Sequence, residues 1–85
     1  MQIELRYFAS VRVQVGQGAE RAEVPASVRT VGDLRGWLRE RGGHWAEALA
    51  EGRALRMAVD HAVARADTPL AEGCEVAFFP PVTGG

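Results

Sequence analysis

Glu75-Val76-Ala77-Phe78-Phe79-Pro80-Pro81-Val82-Thr83-Gly84-Gly85 holds a strand, a stop and a bare end, in that order. Glu75 to Phe79 is a short apolar run with aromatic and β-branched members, which predicts a strand. Within it Val76 and Phe78 share one face, and Phe79 takes the other. Pro80 and Pro81 end the ladder at a fixed place, because neither has a backbone N–H to donate. Gly84 and Gly85 carry no side chains and accept φ of either sign, so this end can thread a narrow passage. A strand that holds the base, prolines that stiffen the exit and a slender carboxylate beyond them predict a chain end made for delivery to another protein.

Working outward, the opening residues repeat the strand signal. Ile3, Leu5 and Tyr7 alternate with Gln2, Glu4 and Arg6, giving one apolar and one polar face. Phe8 falls on the polar face. Val11-Arg12-Val13-Gln14-Val15 also alternates, and on periodicity alone would extend the strand. Gly16-Gln17-Gly18 is a turn, and Glu20 to Val24 reads as a second strand stopped by Pro25. Thr30 and Asp33 stand at capping-box spacing, with Val31, Leu34, Leu38 and Arg41 behind them at helical intervals and Trp37 beside the stripe. Gly42-Gly43 ends that helix, and a short second one is expected from His44 to Ala50, burying Trp45 and Leu49. Leu55, Met57 and Val59 alternate as a third strand. Asp60-His61 turns the chain into a fourth over Ala62–Arg65, and Glu75–Phe79 is the last.

Composition narrows the function. A chain of 85 residues forms one domain with a modest core and no room for a deep active site of its own. A net charge of −1 gives no basic footprint for nucleic acid. No apolar run approaches the ~18 residues of a membrane span, and the N-terminus lacks a signal-peptide core. The single cysteine, Cys74, cannot form an internal disulfide, and its neighbours Glu72 and Glu75 disfavour a thiolate. A cytoplasmic location is therefore expected. All ten basic residues are arginine, so Schiff-base and P-loop lysine chemistry are excluded. His44 and His61 have no metal-ligand spacing and are expected to face solvent, and no metal site is expected. Neither Ser10 nor Ser27 lies in a nucleophile elbow.

The tail Glu75–Gly85, the opening Leu5-Arg6-Tyr7-Phe8-Ala9-Ser10-Val11-Arg12, Trp45-Ala46 with Ala48-Leu49, Val59-Asp60-His61, and Asp67-Thr68-Pro69-Leu70 before Gly73 closely resemble the small, sulfur-carrying subunits of molybdopterin synthase. These belong to the ubiquitin-like carriers that form a C-terminal thiocarboxylate. The resemblance spans nearly the whole chain, and the Phe-Phe-Pro-Pro lead is its most specific part. It implies an α+β, β-grasp fold: a mixed sheet of about five strands packed against one main helix plus short helices. Residues 1–79 would be the domain and residues 80–85 a flexible tail. It also implies a short helical turn at residues 10–15, with Ser10 as N-cap, against the strand that periodicity allows.

For function, the resemblance implies that Gly85 is the reacting residue and that Gly84, Thr83, Val82, Pro81 and Pro80 form the arm. A separate adenylating, E1-like enzyme would use ATP to activate the Gly85 carboxylate, and a persulfide sulfurtransferase would replace AMP with sulfur. The thiocarboxylate would then donate sulfur to cyclic pyranopterin monophosphate inside the large subunit, in a heterotetramer with two copies of each chain. This chain would bind no cofactor and catalyse nothing alone.

In a β-grasp sheet the first and last strands are neighbours, so Phe8 and Phe79 would lie together at the root of the tail. With Val63, outward on the fourth strand, they are the expected partner-binding surface. Two other readings share this sequence. One is a carrier for thiamine thiazole, tRNA thiolation or cysteine synthesis; the other is a ubiquitin-like binding module that handles no sulfur.

Overall fold

The computed structural model describes residues 1–81. Along the chain run β1 (Gln2–Tyr7), α1 (Ala9–Val15), β2 (Ala19–Glu23), α2 (Val31–Arg39), α3 (Gly43–Ala48), β3 (Arg56–Val59), β4 (Ala62–Ala64) and β5 (Glu75–Phe79). The five strands form one mixed sheet in the order β2-β1-β5-β3-β4. Only the central β1–β5 pair is parallel; the other three pairs are antiparallel. This is the β-grasp arrangement.

Alternation decides which face of the sheet is buried. Ile3, Leu5 and Tyr7 of β1 and Val76 and Phe78 of β5 are each no more than 1 % exposed. They pack in one cluster with Val11 of α1 and Val31, Leu34 and Leu38 of α2. The helices therefore cover one face and leave the other to solvent, a division that period-two patterning imposes on a half-buried sheet.

α2 begins as its sequence requires. The Thr30 hydroxyl accepts the Asp33 N–H at 3.1 Å, and the Asp33 carboxylate accepts the Thr30 N–H at 3.2 Å, closing the capping box. The Asp33 side chain also accepts the Arg29 N–H at 3.1 Å. That bond leads the causes that hold its carboxyl below the usual carboxylate range.

At residues 10–15 the structure has the helix, not the extended strand, and the cap differs from expectation. Phe8 is the N-cap residue and no side chain caps the end, so Ser10 does not play that part. Gly16 closes α1 in the left-handed region at φ 82°. α2 ends at Arg39, and Gly42 then opens α3 at φ 75°. β4 stops one residue short of Arg65. Asp60 and His61 both have positive φ, as a two-residue hairpin turn with right-handed strand twist demands.

A stack of rings joins the layers. Phe78 and Tyr7 lie nearly parallel with centroids 6.2 Å apart, and Tyr7 and Trp45 form a T-shaped pair with centroids 5.3 Å apart. The Arg41 guanidinium sits 4.4 Å from the Trp45 ring centre and 5.4 Å from that of Trp37. It also makes two hydrogen bonds to the Glu20 carboxylate, at 2.7 and 3.0 Å. Trp37 and Trp45 are thus half-buried rather than fully enclosed, each presenting a face to one cation. Arg41 ties β2, α2 and α3 together through chemistry that neither a lysine nor an apolar residue reproduces.

Tyr7 carries an anomaly. Its hydroxyl is buried and, although the Arg41 guanidinium lies close by, meets no partner at good hydrogen-bonding geometry among the described residues. Burial pushes its ionisation far up and the nearby Glu20 charge adds to the effect, while Arg41 opposes both. An unpaired buried hydroxyl costs free energy that its removal recovers. Tyr7→Phe is therefore expected to leave stability unchanged or raise it by up to ~1 kcal/mol in chemical denaturation. A loss larger than that would show the hydroxyl to be bonded.

Candidate functional site

The open face of the sheet is where the tail begins. Strand register puts Arg6 beside Ala77, Ala77 opposite Ala58, and Ala58 opposite Val63. These four residues form a row across β1, β5, β3 and β4. The side chains at its centre are methyl groups, so its middle is low. One row nearer the tail, Phe79 faces Arg56 across β5 and β3. Phe8 continues β1 into the same region, its N–H donating to the Phe78 carbonyl at 3.1 Å.

Exposure follows this geometry. Phe8 is 50 % and Val63 80 % exposed, Phe79 is half-buried, and Phe78 is fully buried. The parity read from the sequence, with Phe78 inward and Phe79 outward, is the one observed. Phe8 and Phe79 stand at the root of the tail, and Val63 lies across the alanine row on the edge strand. The result is a shallow apolar surface with two aromatic side chains on its tail side and Arg6 and Arg56 beside them. Exposed apolar area gathered in this way is characteristic of partner surfaces.

At the other end of the open face the charges are engaged. Arg21 meets Glu4 at 2.7 Å, Arg6 meets Glu75 at 3.5 Å, and His61 Nε2 lies 3.5 Å from the same Glu75. Glu75 is also fixed through its backbone: its N–H donates to the Asp60 carboxylate at 2.9 Å, and its carbonyl accepts the Asp60 N–H at 2.8 Å. β5 is therefore pinned to the β3–β4 turn at its start and enters the tail at its end.

Pro80 and Pro81, both half-buried, are the last two described residues, and they follow β5 directly. Val82, Thr83, Gly84 and Gly85 lie outside the described residues. The base of the arm is thus placed, on a central strand held from both sides. Cys74 is buried at the foot of β5, where its carbonyl accepts the Glu4 N–H at 2.9 Å, so its thiol is a packing group. His44 and His61 are exposed. No group of three or more metal-ligating side chains gathers among the described residues, and no helix there is long and apolar enough to cross a membrane.

Sequence reading located the aromatic pair and Val63 but not the residues between and beside them. Ala58, Ala77, Arg6 and Arg56 join the surface only through strand register. The available signal was parity: Arg56 and Ala58 alternate with the inward Met57, and Ala77 alternates with Val76 and Phe78.

Known proteins resemble this chain in sequence and in fold. The molybdopterin synthase sulfur carrier subunit of Escherichia coli K12 is 46 % identical over 83 residues, covering 98 % of this chain and 99 % of that protein. The protein of the same name from Haemophilus influenzae is 34 % identical over 83 residues, with the same coverage. The crystal structure of SAMP1 from Haloferax volcanii superposes with a TM-score of 0.75 at 26 % identity, over 100 % of both chains. The sequence model of the ThiS family matches residues 5–85. On a match that runs from Leu5 to Gly85, this chain belongs to the ThiS family.

Proposed function

We propose that this chain is the sulfur-carrier subunit of a molybdopterin synthase. The observation that carries the reading is the 46 % identity to the E. coli sulfur carrier subunit over essentially the full length of both proteins. The open apolar surface at the root of the tail supports it, since a carrier must dock before its end can reach a partner's active site.

Gly85 is the residue that reacts. Its carboxylate is a poor electrophile and holds no sulfur, so it must first be activated. An adenylating enzyme joins it to AMP from ATP, releasing pyrophosphate. The persulfide of a sulfurtransferase then attacks the acyl carbon, AMP leaves as the carbon–sulfur bond forms, and a second thiol reduces the resulting acyl disulfide to free the thiocarboxylate. The thiocarboxylate is a soft nucleophile, ionised at neutral pH. Phe8, Val63 and Phe79 seat the domain on the large subunit, and Pro80 to Gly84 carry the sulfur into it. There it passes to cyclic pyranopterin monophosphate, two turnovers supplying the two sulfurs of the dithiolene. The assembly is a heterotetramer of two small and two large subunits, in the cytoplasm. Sulfur transfer belongs to the complex; the small chain, which binds no cofactor, provides the cargo and the docking face.

The test is intact-mass spectrometry of the protein isolated from cells that contain its activating enzymes, followed by transfer to the pterin substrate in the presence of the large subunit. The expected result is a species heavier by the exchange of one oxygen for sulfur, with that sulfur recovered in the dithiolene. A thiocarboxylate that serves a thiazole synthase or a tRNA thiolase but not the large subunit would move the chain to another sulfur pathway. Unmodified carboxylate throughout would overturn the carrier reading altogether.

A further inference from the structure

β1 and α1 are joined without a loop. Phe8 is extended, at φ −124° and ψ 154°, and serves both elements at once. Its N–H donates to the Phe78 carbonyl of β5 at 3.1 Å, while its carbonyl accepts the N–H groups of Val11 at 3.1 Å and Arg12 at 3.3 Å. Strand parity puts Phe8, 50 % exposed, on the open face, yet Val11, three residues on, is in the core on the opposite face. The chain must cross from one side of the sheet to the other within a single joint. That joint is Ala9, at φ 50°.

A non-glycine residue in the left-handed region is strained, because its Cβ crowds the following carbonyl. Among the described residues the other non-glycine positions with positive φ are Asp60 and His61, where a two-residue hairpin requires it. Ala9 has no such turn to serve. It is exposed, so core packing does not explain the alanine either. Glycine would relieve the strain, but it would also reopen the range of φ and ψ that the Cβ closes.

We propose that Ala9 is a positioning residue, whose strained left-handed conformation holds the Phe8 ring in place on the docking face at the root of the tail. Its function is to preorganise an aromatic that is half exposed on the surface. The inference rests on the reading that Phe8 docks against the large subunit, and the experiment separates the two.

Ala9→Gly, Ala9→Asn and Phe8→Ala are compared by thermal unfolding, by amide hydrogen exchange at Val11 and Arg12, and by titration against the large subunit. Ala9→Gly should unfold at the same or a higher temperature, exchange those two amides faster, and raise the Kd by about threefold, the scale of losing one preorganised side chain. Ala9→Asn keeps a Cβ and tolerates the left-handed region, so it should retain the wild-type Kd. Phe8→Ala should raise the Kd by about tenfold or more. An Ala9→Gly variant that binds like wild type while Phe8→Ala does not would overturn the positioning role and leave the docking face intact. If Phe8→Ala binds normally, the docking assignment of Phe8 falls and the inference with it. A lower unfolding temperature for Ala9→Gly would show that Ala9 is not strained, and a weakened Ala9→Asn would show that the Cβ restraint is not what matters.

Discussion

Removing Gly85, or adding one residue after it, should abolish sulfur transfer while the domain stays folded. The reaction needs a carboxylate at one distance from the docking surface, and an arm shortened or lengthened by one residue moves that carboxylate by up to about 3.5 Å. Near-attack geometry does not survive a displacement of that size. Stability should hardly respond. The buried cluster of the described residues is complete by Phe78, so either change is expected to shift unfolding by no more than about 0.5 kcal/mol. Pterin conversion with the large subunit, run beside thermal unfolding, checks both halves. Full activity from an extended tail, with the extension shown by mass to persist, would remove Gly85 from the chemistry.

Adjacent phenylalanines should fail in different assays. Phe78 is fully buried, stacks on Tyr7 and pairs in register with Met57. Phe78→Ala opens a hole where the aromatic stack meets the sheet and should cost about 3–5 kcal/mol of stability. Phe79 sits on the other side of the same strand, half-buried beside Arg56. Phe79→Ala should leave the isolated domain close to wild type and weaken binding to the large subunit by about 1–4 kcal/mol, the range of aromatic anchors at interface centres. Denaturation of the free protein and titration of the complex should therefore rank the two variants in opposite order. Equal losses in both assays would mean that the two faces of β5 are not energetically distinct.

Where a side chain's fate is set by its own strand or helix turn, the sequence was sufficient. The alternation of Ile3, Leu5 and Tyr7, the parity of Phe78 against Phe79, and the Thr30–Asp33 capping box are local statements, and each appears in the structure. The stretch Val11 to Val15 was ambiguous for a definite reason. Positions 11 and 15 satisfy a period of two and the four-residue spacing of a helix face equally well. Val13 separates the alternatives: a strand would bury it with its neighbours, whereas it is 80 % exposed. Other features depend on partners far along the chain. In sequence Arg41 falls in step with Leu34 and Leu38, yet it lies beyond the end of α2 and its partners include Trp45 in the next helix and Glu20 in β2. Parity assigns Ala58 and Ala77 to the open face, but only register places them opposite each other. The left-handed Ala9 has no sequence signature, because glycine and asparagine, not alanine, are the residues that mark such a joint.

The place of β5 in the sheet also has a mechanical side. It is flanked by β1 and β3 and paired with both along its length, rather than hanging from an edge. A pull applied through Pro80 and Pro81 runs along the strand axis, while the hydrogen bonds on either side run across it. Such a load shears both ladders at once instead of unzipping one bond at a time. Under such a load the domain would act as an anchor, with β5 resisting from both flanks.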